Sequence, residues 1–226
     1  MSRRIKSIIQ IILMLTVVVL CIVGLGRDVF HAFEELFYDH EATLFSSNAV
    51  SKLTNQINLF AGSLSLFLIP FYFVALFDEN HRLTKVTYTL KFICTVLLIF
   101  LILLVVCVLF PLTCATNGFE VGFRSNFLGD CLYSHVLIPI LFITSFFALD
   151  EKQELMKRTQ FIVLVIFLVY VISYIFFVYV FKTWEDFYFI NEAAKVVSYF
   201  AIIPVVLIVL LGVYFGTKFL AKIASK

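Results

Sequence analysis

Six apolar runs, most of them near 20 residues long, leave this chain little choice of fold. A run of that length crosses the roughly 30 Å hydrocarbon core of a bilayer as a helix. In lipid every backbone N–H and C=O must be paired inside the protein, and a helix pairs them within its own segment. Composition argues the same way. The chain is 62% apolar and 14% charged, whereas soluble domains carry about 45–50% and about 25%. The expected fold is an all-α membrane protein, a six-transmembrane-helix bundle forming one domain over residues 1–226. Its spans are expected at 5–25, 49–77, 86–111, 131–149, 159–181 and 196–217.

The first run follows Met1-Ser2-Arg3-Arg4-Ile5-Lys6, which has the look of a secretory signal. However, its apolar part runs from Ile8 to Leu25, and no small-residue cleavage pattern follows it. A retained first helix is therefore the expectation. Orientation follows from where Lys and Arg fall between the spans. Arg3, Arg4, Lys6, Arg82, Lys85, Lys91, Lys152, Lys157, Arg158, Lys218, Lys222 and Lys226 lie at alternate connections on one side. Arg27, Lys52, Arg124, Lys182 and Lys195 lie on the other. This asymmetry predicts both termini on the inner face of the cytoplasmic (plasma) membrane. A net charge of +2 with no dense basic cluster leaves no footprint for nucleic acid.

Five cysteines occur without a CxxC pair, so neither a zinc site nor a dithiol redox motif is indicated. Cys114 and Cys131 bracket one outer loop, where a disulfide could form. In the first outer connection, residues 26–48, Phe30, Phe33 and Phe37 recur at helical spacing and predict a short helix lying on the interface. Trp184, in the third outer connection, reads as an interface anchor.

The second span breaks the apolar pattern. At 100° per residue, Ser51, Thr54, Asn55, Asn58, Gly62 and Ser65 share one arc, opposite Leu53, Ile57, Phe60, Leu64 and Phe67. Polar groups facing hydrocarbon cost free energy, so the arc is expected to face the bundle interior or a cavity. Packing of helices through small and polar residues is one reading of it. A binding or catalytic face is the other. His135 is the one histidine inside an apolar run, and an ionisable group at that depth usually marks function. A hydrogen-bonded structural histidine is the plainer alternative. Pro139 cannot donate to the carbonyl of His135, so a kink is expected there.

If the second span starts with Ser47 or Asn48 as its cap, Thr54 lies roughly 9 Å below the outer end and His135 roughly 6 Å. A hydroxyl and an imidazole at similar depth suit a nucleophile and its general base. The nearest acidic candidate to orient the histidine is Asp130, with Asn58 one turn below Thr54. No G-x-S-x-G, H-E-x-x-H or P-loop is present.

In Thr54-Asn55-Gln56-Ile57-Asn58-Leu59 and His135-Val136-Leu137-Ile138-Pro139, the chain resembles the androgen-induced-protein family of integral membrane hydrolases and its bacterial relatives. Its length, its six spans and charged inner loops such as Asp150-Glu151-Lys152 are similar too. The resemblance implies cleavage of fatty acid esters of hydroxy fatty acids, with Thr54 as nucleophile and His135 as base. The expected function is thus a membrane-embedded lipid esterase acting on a lipid or lipid-like ester. Asn55 or Asn58 would donate to the oxyanion, and the scheme requires no metal or cofactor. A non-catalytic lipid-binding or small-molecule transport protein is the alternative, and a structural membrane subunit is the third.

Overall fold

A computed structural model describes residues 2–38, 52–78, 81–182, 184 and 199–225, without the side chains of 27–29, 31–38 and 199–205. Every regular element among the described residues is helical. Six helices are long and apolar enough to cross a membrane, so the chain is a multi-pass, all-α membrane protein. We label α1 Arg3–Tyr38 and α2 Leu53–Phe77. The third spanning helix, α3, is Lys85–Asn117, and a shorter helix, α4, is Phe119–Phe127. Then follow α5 Asp130–Leu149, α6 Thr159–Val180 and α7 Tyr199–Ala224.

The helix ends differ from expectation for local reasons. Residues 27–38 contain neither Gly nor Pro, so nothing stops α1, and it runs unbroken to Tyr38 where a separate interfacial helix was expected. The segments 39–51 and 185–198, with His40 and the outer end of the expected sixth span, lie outside the described residues. In α3 a π-helical turn at Val105–Leu109 precedes Pro111, and in α5 another at Tyr133–Leu137 precedes Pro139. The kink expected at Pro139 is thus realised as a widened turn, in which the Ile138 N–H reaches back to the Tyr133 carbonyl.

The stretch 119–127, expected as loop, is α4. It folds back on the end of α3 as a helical hairpin, closed by aromatic contacts of Phe110 with Phe119 and Phe127. No disulfide joins Cys114 to Cys131, because the Cys114 thiol turns into this hairpin against Gly122. Trp184, expected as an interface anchor, does not present its ring outward. It is buried, stacked 4.7 Å from Phe177 with Tyr170 and Tyr174 beside it.

The α2 helix is buried on two sides. Asn55, Asn58, Gly62 and Ser65 are buried as the polar arc requires, but so are Leu53, Ile57 and Leu64 from the arc opposite. The outward stripe is instead Leu59, Leu66, Phe67 and Phe73. The α1 and α2 helices approach closely at Gly62, where a Cβ would fall 2.9 Å from the Cys21 sulfur.

Two charges sit in the bundle at the end that carries both described termini. Lys91, counted above among the loop cations, is fully buried, and its Nζ lies 2.7 Å from Asp150 Oδ2. Asp150, expected in a charged inner loop, is 6% exposed. The Lys91 ammonium also donates to the Tyr72 hydroxyl and to Ser145 Oγ, each at 2.7 Å, with Gln10 Oε1 at 3.3 Å. Tyr72 and the Gln10 amide both donate to Asp150 Oδ1, at 3.0 and 2.7 Å. Gln10 spends its second proton on the Ser145 carbonyl, and its oxygen accepts from the Ser145 hydroxyl. The network therefore binds α1, α2, α3 and α5 together.

At the same end, Arg3 grips Glu151 with two nitrogens at 2.7 and 2.9 Å, and the Tyr88 hydroxyl donates to the Ala224 carbonyl. Removing one member of a buried pair strands the other, at a cost of about 3–5 kcal/mol. Lys91→Ala is accordingly expected to lower stability by about that amount in denaturation in detergent micelles. Combining Lys91→Met with Asp150→Asn, which keeps an acceptor for Gln10 and Tyr72, should recover most of it.

Candidate active site

Lys52 is extended (φ −81°, ψ 127°), so α2 begins at Leu53, and Thr54 lies in its first turn rather than deep in the span. First-turn N–H groups have no carbonyl one turn back and need other partners. Here the Leu53 N–H donates to the Tyr170 hydroxyl at 3.1 Å and that of Asn55 turns to the Lys52 carbonyl, which also accepts the first regular helical bond, from Gln56. Tyr170 belongs to the aromatic cluster of α6 with Tyr174 and Trp184. That cluster therefore holds the start of α2 in place. Thr54 is half-buried on the next position around the helix.

His135 sits within the π-helical turn of α5. Its Nδ1 is 2.8 Å from the Asn126 main-chain oxygen, at the last turn of α4. The Asn126 side chain is itself tied down, donating to the Gly122 carbonyl at 2.8 Å and to Thr113 Oγ1 at 3.0 Å. Gly118 (φ +84°) and Gly129 (φ +61°) make the two turns that bring α4 over the mouth of α5. Between them, Gly122 lets the hairpin close: a Cβ there would lie 2.6 Å from the Cys114 sulfur and 3.0 Å from its main-chain nitrogen.

A carbonyl oxygen only accepts, so neutral His135 carries its proton on Nδ1 and leaves the Nε2 lone pair open. No ion pair or hydrogen bond joins the Asp130 carboxylate to His135. The orienting group expected from that acid is instead the Asn126 carbonyl.

The two helices meet one turn below Thr54. Asn58 Nδ2 donates to the Ser134 carbonyl at 3.0 Å, which puts Asn58, rather than Thr54, level with His135 on the backbone. Thr54 lies four residues above Asn58, about 6 Å along the helix. A helical side chain leans toward its own N-terminus, so the His135 ring rises toward the mouth, where it meets Asn126. Lys52, two residues before Thr54, is within electrostatic range of His135. Thr54 and His135 therefore lie at the same end of the bundle, Thr54 about one turn nearer that end, with no hydrogen bond between them among the described residues. Asn55 is buried in the first turn of α2, and the Asn58 Oδ1 is buried without a hydrogen-bond partner among the described residues.

Asn126 and Tyr170 position this mouth, and neither stands out in the sequence by type. The one signal that leads to Asn126 is the i, i+4 spacing of Phe119, Phe123 and Phe127, which marks its segment as helix. The arrangement predicts that the imidazole nitrogen shifts of His135, read by NMR in a membrane mimetic above the histidine pKa, show Nδ1 protonated. In Gly122→Ala, where the hairpin has to open, that preference should shift toward the Nε2-protonated form that a solvated ring favours.

No protein-family model, curated protein or solved structure matches this chain.

Proposed function

We propose that the protein is a membrane-embedded lipid esterase in which Thr54 is the nucleophile and His135 the general base. The observation that supports this reading is the anchoring of His135 Nδ1 on a backbone carbonyl, which leaves Nε2 open as a base at the end of the bundle where α2 begins. The Thr54 oxygen attacks the ester carbonyl, and its proton passes to Nε2. The tetrahedral intermediate collapses, its C–O bond to the alcohol breaks, and the imidazolium protonates the leaving oxygen. Water, deprotonated by the same nitrogen, then releases the acid and restores Thr54.

One feature favours negative charge at this place: Thr54 sits at the positive end of the α2 dipole. Asn58 is the weaker oxyanion donor, since its amide nitrogen is already engaged on Ser134. Asn55 is the alternative donor from the same turn. On the Leu53–Gln56–Phe60 side of α2, a cleft of about 610 Å³ opens between α2, α3 and α6, lined also by Ile57, Leu97 and Tyr170 and not by Thr54 or His135 themselves. Its walls are almost wholly apolar, and its size is that of a small-molecule pocket. A hydrocarbon chain lying there would have its polar end near the first turn of α2.

The same cleft suits lipid binding without reaction, so the test must read chemistry. Purified protein in nanodiscs should hydrolyse members of a fatty-acyl ester panel and take up a fluorophosphonate label. Thr54→Ala is expected to abolish labelling, and Thr54→Ala and His135→Ala each to lower turnover by at least about 10³-fold. Saturable ester binding with unchanged turnover in both variants would assign the protein to the binding class instead.

A further inference from the structure

The basic end of the bundle holds a second, separate depression. It is a cleft of about 70 Å³ between the start of α1, the inner end of α2, the 81–83 turn and the residues after α5. Arg3, Lys6, His81, Arg82, Asp150 and Glu151 line it. The two carboxylates in this wall are already matched. Asp150 takes Lys91 together with the Tyr72 and Gln10 donors, and Glu151 takes the two-pronged grip of Arg3. Arg82 stands farther from Glu151, at 3.5 Å, and is more than half exposed. Lys6 is half-buried in the wall, within electrostatic range of Asp150, and makes no ion pair or side-chain hydrogen bond among the described residues. His81 adds a buried Nε2 with no hydrogen-bond partner, its ring held over Phe71. The cleft therefore presents unmatched positive charge and one unmatched imidazole nitrogen.

We propose that this cleft binds a phosphate-type oxyanion between Lys6, Arg82 and His81. A water-sized position needs about 10–15 Å³, so the cleft accommodates roughly five of them, the size of one tetrahedral anion rather than of a whole lipid. Charge-assisted donors are the groups that recognise phosphate oxygens, and Arg82 and Lys6 supply them from two different elements. A basic pocket between spanning helices at one membrane face is also where an anionic lipid headgroup is captured. The oxyanion could therefore arrive as free phosphate or as the headgroup of a phosphomonoester lipid. The site uses none of the residues of the Thr54–His135 mouth and does not depend on the esterase reading.

The experiment uses the full chain in phosphatidylcholine nanodiscs, titrated with inorganic phosphate at constant ionic strength set by chloride. A parallel arm replaces part of the phosphatidylcholine with phosphatidate. Thermal unfolding and calorimetry read binding. The expected result is saturable stabilisation by at least one of the two probes. Response to phosphate identifies a soluble anion, and response to phosphatidate alone identifies a headgroup. Lys6→Gln and Arg82→Gln should each weaken the half-saturation point by about 10-fold. Lys157→Gln, which removes an exposed charge after α5 outside the cleft, should leave it unchanged. Lys6→Arg keeps the charge and should bind as the parent does, which separates a lost ligand from a lost fold. Thr54→Ala should also bind normally. Absence of a saturable response to either probe, or equal weakening by Lys157→Gln, overturns the proposal.

Discussion

Two opposite charges inside a bilayer-spanning bundle demand close partners, and Lys91 and Asp150 supply each other. The pair alone would be a poor source of stability, because desolvating both ions offsets most of their attraction. Its strength lies in the completeness of its surroundings. The ammonium has three oxygen neighbours besides the carboxylate, and Gln10 uses both amide protons and its oxygen within the cluster. A buried polar network that is fully satisfied specifies one arrangement of its elements, since any shift strands a donor or acceptor. Here the elements are four of the six spanning helices.

That constraint divides the molecule. At the basic end, α1, α2, α3 and α5 are pinned by the network and by Arg3 on Glu151. Toward the other end, specific ties among the described residues include Asn58 to Ser134, Tyr170 to the first N–H of α2, and the Asn126 carbonyl to His135. The candidate active site is built at this second end, from groups oriented by single hydrogen bonds on a scaffold fixed elsewhere. The apolar cleft beside Thr54 opens between α2 and α6, and α6 supplies no member of the ion-pair network.

Much of the fold is legible in the residues themselves. Six apolar runs, a stripe of polar side chains along α2 and a lone histidine near Pro139 each have a direct structural counterpart. The errors fall where a residue type has two ordinary meanings. Lys91 reads as a loop cation because it lies near the start of an apolar run, yet two turns of helix carry it inside the bundle. Asp150 does follow the end of α5, as its sequence position suggests, but its carboxylate turns into the bundle. Trp184 reads as an interface anchor, but Phe177, Tyr170 and Tyr174 enclose it. Thr54 is misjudged in depth because Ser47 and Asn48 are good cap residues by type, while α2 starts after Lys52.

The sequence by itself determined that this chain spans a membrane as six helices, because the length and apolarity of each run are local properties that the bilayer reads directly. It also determined that one face of α2 and the turn around His135 are polar exceptions needing shelter. Only the tertiary structure decided what shelters them. The tie between Gln10 and Asp150 spans 140 positions, and the carbonyl that orients His135 belongs to a separate helix folded back over α5. Such pairings depend on how helices distant in sequence are packed, and no periodicity within one segment carries that information.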